Sequence, residues 1–189
     1  MIRSFIAIEL KDKETIDNIK DFSLRIKKNQ PKIKTVEPEN LHMTIKFLGD
    51  ITESLAPKIF DIIKEVNEKF FQGKTFKYDL KGVGQFNRFS IIWVKLIGNI
   101  SLLQTIKDTL EDLLNKKLNL ERDKRPQFKP HLTIGRLNKK RIDYKTFESF
   151  KNIIKENKEK EFGSYNIGEI KLKKSVLTPK GPIYSDLVY

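Results

Sequence analysis

The chain has two histidines, and both stand at the head of the same four-residue phrase: His42-Met43-Thr44-Ile45 and His131-Leu132-Thr133-Ile134. Threonine fills only 10 of the 189 positions, so both histidines carry one two residues on by chance only about one time in four hundred. A matched pair of this kind has far less false-positive risk than a single short motif. The phrase itself reads as strand: residues i and i+2 share a face, and i+1 takes the other. Each histidine then looks the same way as its threonine, while Met43 or Leu132 looks into a core. Any fold for this chain must build two such strands, nearly half its length apart, and close a core beneath both.

The rest of the chain supplies the material. Alternation marks strands over Ile2 to Leu10 (Ile6, Ile8 and Leu10 on one face, Phe5, Ala7 and Glu9 on the other), Leu41 to Leu48, Thr75 to Val83, Ser90 to Ile97 and His131 to Leu137. Further strands are predicted over 162–167, 169–177 and 183–188, the last behind a turn at Pro179 to Pro182. Helical spacing of apolar residues predicts helices over 11–28, 55–71, 101–118 and 144–158. Regular strands would put Lys46 beside His42 and Thr44, and Gly135 beside His131 and Thr133, with Arg136 facing the core unless the strand bulges at Gly135. Gly82 and Gly84 around Val83 suggest a bend, and Arg122 to Lys129 reads as a charged loop. No low-complexity linker divides the sequence, so residues 1–189 are expected to form a single domain, its two mixed lobes interleaved and related by an old duplication.

Composition narrows the function. A content of 38% hydrophobic and 33% charged residues suits a soluble globular chain. Cysteine is absent, which removes thiolate chemistry and Cys-ligated metals and points to the cytoplasm. No leader is visible, and the apolar runs are far short of the ~20 residues that span a bilayer. The net charge of +13, with 31 of the 38 cations lysine, fits attraction to a polyanion such as nucleic acid. A lysine-rich, thermophile-like surface would give the same number.

Imidazole titrates near neutrality, so one histidine can take a proton while the other gives one. Threonine hydroxyls ~7 Å along the same face can hold the non-bridging oxygens of a phosphate. Two facing strands would then form a phosphodiesterase site that needs no metal or other cofactor. A zinc site is disfavoured by the lack of a third ligand at closed spacing. A nucleophile elbow and a Walker A loop are both missing.

At this level the sequence resembles a family. His42 to Gly49 and Phe128 to Arg136 resemble the paired motifs of the 2H phosphoesterases, and more narrowly those of the RNA 2′,3′-cyclic phosphodiesterases, formerly called 2′-5′ RNA ligases. Arg3 to Leu10, Gly82 to Phe86 with Trp93, and Leu172 to Tyr184 match as well, so the likeness runs end to end. It implies an α+β, bilobal fold: two pseudo-twofold-related lobes, each with an antiparallel sheet and helices, and an active-site groove between them. It places the proton donor at His42 and the proton acceptor at His131, with Thr44 and Thr133 on the phosphate. Arg136, Arg88, Phe47 and Tyr184 are the candidates for contacts to substrate.

The expected activity is hydrolysis of RNA 2′,3′-cyclic phosphate ends to 2′-phosphomonoesters, with 2′-5′ ligation as its reverse. The expected partner is RNA carrying such an end, and the expected state is a cytoplasmic monomer. Action on 2′-5′ oligonucleotides or a cyclic nucleotide would use the same histidines. A basic RNA-binding module without catalysis is the alternative of another class.

Overall fold

The computed structural model describes residues 1–124, 127–179 and 181–189. The alternating segments pair into one curled antiparallel sheet. In chain order its strands are β1 (Ile2–Glu9), β2 (Lys34–Thr35), β3 (His42–Ile51), β4 (Phe76–Phe86), β5 (Ile91–Ile97), β6 (His131–Arg136), β7 (Glu161–Ile167), β8 (Lys171–Thr178) and β9 (Gly181–Asp186). Their spatial order is β7-β4-β5-β6-β3-β1-β8-β9, with the short β2 added to β6. The two histidine strands are therefore neighbours at the centre. Three strands flank each of them: β1, β8 and β9 beside β3, and β5, β4 and β7 beside β6. Both halves are antiparallel throughout, and the β3–β6 pair joins them into one sheet.

Four α-helices cover the apolar face: α1 (Lys13–Asn29), α2 (Ala56–Phe70), α3 (Ile100–Leu118) and α4 (Phe147–Glu156). The carboxylate of Asp12 caps α1 by accepting from the Thr15 amide at 2.8 Å, so one of the free N–H groups of its first turn is satisfied. Asn99 does the same for α3 through the Leu102 amide. Asn119 ends α3 in the left-handed conformation that asparagine tolerates. Helices α1 and α4 pack behind the β6 half, and α2 and α3 behind the β3 half. Ile6, Ile19, Met43, Ile59, Leu132 and Phe150 are among the fully buried residues of the single core they enclose.

The last helix is shorter than its apolar spacing suggests, and the last strand begins two residues earlier, at Gly181. The charged loop includes Arg125 and Pro126 and the final turn includes Lys180, which lie outside the described residues.

The two central strands are not regular. Against β1, Ile6 pairs with Lys46 and Ala7 with Thr44, so Ile45 is an extra residue in β3. Against β5, Ile92 pairs with Gly135 and Trp93 with Thr133, so Ile134 is an extra residue in β6. Each bulge follows directly on the threonine of its tetrad and reverses the facing of the residues that come next. Ile45 and Lys46 are consequently both buried, as are Ile134 and Gly135, while Phe47 and Arg136 emerge on the histidine face.

This corrects three expectations drawn from strict alternation. Lys46 is 7% exposed and lies on the core side, where its ammonium donates to Glu111 at 3.2 Å and to the Glu121 carbonyl at 2.8 Å. Gly135 also faces the core: a methyl there would lie 3.1 Å from Ile33. Arg136 lies on the site face, because the bulge that would turn it there is present.

Candidate active site

The site is built outward from one register pair. Met43 and Leu132 face each other across β3 and β6 and are completely buried. One step along each antiparallel strand sets His42 across from Thr133, and Thr44 across from His131. All four lie on the opposite face and are half-buried. The histidines form a diagonal pair, with backbones about 7–8 Å apart on an ideal ladder. Their rings can therefore approach one phosphate from two sides. Among the described residues, neither threonine hydroxyl has a hydrogen-bond partner in the protein, so both are available to a ligand oxygen.

Each ring is held in the same way. The Nδ1 of His42 lies 2.6 Å from the carbonyl of Asn40, and that of His131 lies 2.6 Å from the carbonyl of Lys129. A carbonyl can only accept, so Nδ1 carries the hydrogen in both rings, and Nε2 is the nitrogen able to exchange a proton with a substrate. Asn40 closes a 3₁₀ turn, Pro38–Asn40, and its side-chain amide donates to the Pro182 carbonyl of β9 at 3.2 Å. Pro130 stands between Lys129 and His131, and proline holds the residue before it extended.

Aromatic rings set the side walls. Tyr184 meets the His42 ring edge-on at 5.2 Å, and Phe5 lies 5.0 Å from it. Phe86 meets His131 edge-on at 5.1 Å, with Trp93 at 6.0 Å. Trp93 can lie flat over β4 only because its cross-strand partner is Gly84; a Cβ there would sit 2.2 Å from the indole.

Burial pushes the pKa of His42 below the ordinary imidazole value. The hydrogen bond to Asn40 opposes that shift, and the charges of Lys173 and Arg136 add to it. Lys173 is itself buried between Glu9 and Asp186, and Lys171 bridges the same two carboxylates at 2.9 and 2.8 Å. Burial acts to raise both carboxyls, but hydrogen bonds and the charges of the two lysines outweigh it, so both stay below the usual range. The quartet ties β1, β8 and β9 together beside His42, since Glu9 pairs with His42 across β1 and β3.

The structure thus brings His42, His131, Thr44 and Thr133 onto one face. Tyr184 stands against His42, and Arg136 lies close enough for its charge to act on both of them. Phe47 is 64% exposed on the same face, with its ring 6.4 Å from Phe5. Arg88 is placed differently. It lies in the exposed β4–β5 turn, where Asn87, Arg88 and Phe89 all take positive φ, beyond the Ile91–Arg136 pair rather than at the His131 end of β6.

Phe5, Phe86, Trp93 and Lys173 are site residues that sequence reasoning misses. Phe5 carries a signal, since it shares the face of Glu9 opposite the apolar one, and Gly84 opposite Trp93 carries another. Among the described residues, no group of three or more His, Cys, Asp or Glu is placed to hold a metal ion. No helix among them is long and apolar enough to cross a membrane.

Comparison with known proteins agrees with the family resemblance and the fold. The model of the AKAP7 2′5′ RNA ligase-like domain matches residues 4–185. An RNA 2′,3′-cyclic phosphodiesterase of Archaeoglobus fulgidus is 35% identical over 98% of this chain and 98% of its own. One from Methanocaldococcus jannaschii is 35% identical over 97% and 96%. In fold, the chain is similar to TT0787 of Thermus thermophilus, with a TM-score of 0.75 at 21% identity over 99% of this chain and 96% of that one. It is also similar to E. coli LigT, solved with 3′-AMP, with a TM-score of 0.70 at 20% identity over 99% and 95%.

Proposed function

The chain belongs to the 2′-5′ RNA ligase-like family of 2H phosphoesterases, and from that membership we infer that it is an RNA 2′,3′-cyclic phosphodiesterase, a hydrolase that opens the cyclic phosphate at an RNA end. One observation supports a shared two-histidine site above all others: both His-x-Thr units share a face across the Met43–Leu132 pair, with each Nδ1 committed to a backbone carbonyl.

In this reading Nε2 of His131 takes a proton from water as the water oxygen bonds to phosphorus. The bond from phosphorus to O3′ breaks on the opposite side, and Nε2 of His42 gives its proton to O3′. The product is a 2′-phosphomonoester beside a free 3′-hydroxyl, and the histidines exchange their proton states through solvent. Thr44 and Thr133 donate to the non-bridging oxygens and offset the charge that builds there. The strain of the five-membered ring belongs to the substrate, so the protein's task is placement and charge.

The low pKa of His42 in the free protein fits this role once the substrate is considered. A bound phosphodiester sets a negative charge beside the ring, which favours the imidazolium that the leaving oxygen needs. The edge of Tyr184 beside His42 is suited to pack the ribose of the reacting end, and the exposed ring of Phe47 offers an apolar surface on the same face. Both tetrads come from one chain, so a monomer suffices. The absence of cysteine fits a cytoplasmic setting. With a 5′-hydroxyl in place of water as the nucleophile, the same groups would open the cyclic phosphate into a 2′-5′ linkage, and by microscopic reversibility they would also cleave such a linkage.

The test is an oligoribonucleotide with a 2′,3′-cyclic phosphate end. We expect conversion to a 2′-phosphate end only. A 3′-phosphate product would reverse the direction of opening, and no turnover on RNA alongside turnover of 2′-5′ linkages would move the activity to that substrate.

A further inference from the structure

We propose that the cationic cleft lined by Lys32, Lys34, Arg136 and Arg141 is a subsite for the backbone phosphates of the RNA strand upstream of the reacting nucleotide, and that it makes the enzyme selective for oligonucleotides over mononucleotides. The cleft has a volume of about 430 Å³, and Ser90, Leu137 and Asn138 complete its lining. It begins where the histidine face ends, because Arg136 belongs to both. The charge of Arg136 acts on His42, and its backbone pairs with Lys34 on one side and Ile91 on the other.

Three features mark it as a binding surface rather than a chance collection of lysines. First, no carboxylate among the described residues pairs with any of the four cations. Elsewhere the chain neutralises neighbouring cations, as at Lys171 and Lys173 with Glu9 and Asp186. Second, Lys34 and Arg136 are register partners on adjacent strands, an arrangement of like charges that costs stability unless an anion relieves it. Third, the walls are fixed. Gln30, which is completely buried, donates from its amide to the Asp143 carbonyl at 2.8 Å and accepts from the Asp143 amide at 3.0 Å. That pair of hydrogen bonds locks the Lys32–Lys34 segment to the turn carrying Asn138 and Arg141. The turn is capped in its own right by Asn138, whose side chain accepts from the Lys140 amide.

The location agrees with the chemistry, and this step rests on the function proposed above. If His42 protonates O3′, the ribose lies on the His42 side of the phosphate, and the attacking water lies on the His131 side. The strand leaves that ribose through its 5′ oxygen, past His42. Antiparallel pairing sends β6 beyond His42 toward Arg136 and the cleft, so the upstream phosphates run into the cations. A mononucleotide cyclic phosphate fills the histidine face and leaves the cleft untouched.

The experiment compares the protein with a Lys34→Gln/Arg141→Gln variant; both side chains are exposed, so the fold should be retained. Substrates are a ten-nucleotide RNA with a 2′,3′-cyclic phosphate end and a mononucleoside 2′,3′-cyclic phosphate. We expect kcat/KM on the RNA to fall about tenfold at low salt, through KM, with the mononucleotide rate unchanged. Binding of the same RNA ending in a plain 3′-phosphate should show a log K against log salt slope shallower by about 0.7 for each phosphate that the variant no longer neutralises. Equal losses on both substrates, or an unaltered salt slope, would overturn the subsite. If neither substrate turns over, the proposed function fails, and the binding slopes still decide the cleft on their own.

Discussion

Phe47 and Arg136 occupy equivalent places in the two halves of the sheet: each stands five residues after a histidine, and each is turned onto the histidine face by a bulge that follows the threonine. Up to that point the two tetrads are alike in sequence and in the hydrogen bond that holds each ring. Beyond it they differ, an exposed aromatic on one side and a guanidinium on the other. Antiparallel pairing points Arg136 toward the His42 end and Phe47 toward the His131 end. These two residues and the lysines beside them make the two halves of the site chemically unlike, as the two proposed proton roles would require.

A pH prediction follows from His42. Its pKa lies below that of an unfolded chain, so the unfolded state binds the extra proton first as pH falls. The stability contribution is neutral above the ordinary imidazole value and becomes unfavourable as pH drops through it. A phosphate ligand should reverse this by drawing a proton onto the ring. Calorimetry of phosphate binding near neutral pH in buffers of different ionisation enthalpy should show net proton uptake, and the His42→Gln variant should show less. Proton release on binding would contradict the assigned role.

Trp93 is the only tryptophan, and it lies against Phe86 and near His131, so its fluorescence reports on that wall. Gly84→Ala places a methyl where the indole sits. We expect a cost of about 1–3 kcal/mol in stability, a changed emission spectrum and slower turnover. An unchanged spectrum with full activity would show that the flat packing of Trp93 is dispensable.

The buried Glu111 holds Lys46 at 3.2 Å and Lys107 at 2.6 Å, and it accepts from the Asp123 amide at 3.3 and 3.2 Å. It thereby fastens the segment leading toward His131 to the strand of His42. Glu111→Ala removes the nearest carboxylate from two buried ammonium groups, leaving Lys46 with the Glu121 carbonyl and Lys107 with Asp123 at 3.8 Å, and should cost about 3–5 kcal/mol in urea unfolding. A loss below about 1 kcal/mol would mean that water reaches the lysines.

No described cluster of ligands suits a metal, and the proposed proton transfers need none. Turnover should survive exhaustive dialysis against EDTA. Complete loss, restored by one divalent cation, would require a different mechanism.

Much of this is legible in the sequence, for stated physical reasons. The alternation of Ile2 to Leu10 and the apolar stripes of α1, α2 and α3 are local signals, and local signals survive folding. The matched tetrads survive for the same reason. The bulges do not: nothing at Ile45-Lys46 marks an extra residue, so strict alternation puts Lys46 on the wrong face. At Ile134-Gly135 the glycine hints at the irregularity that turns Arg136 toward the site. The contacts of Tyr184 and Phe5 with His42 depend on strand order, with β1 and β8 paired although they come from opposite ends of the chain. No local pattern encodes that.

The division of labour between the histidines is tested most directly with a cyclic-phosphate analogue whose leaving group needs no protonation in place of O3′. On the natural RNA end, His42→Ala and His131→Ala should each lower kcat about 10² to 10⁴-fold. On the activated analogue His42→Ala should recover most of the lost rate, and His131→Ala should recover almost none. Recovery by His131→Ala alone would exchange the acid and the base. Recovery by neither would show that the two rings hold the phosphate without transferring protons.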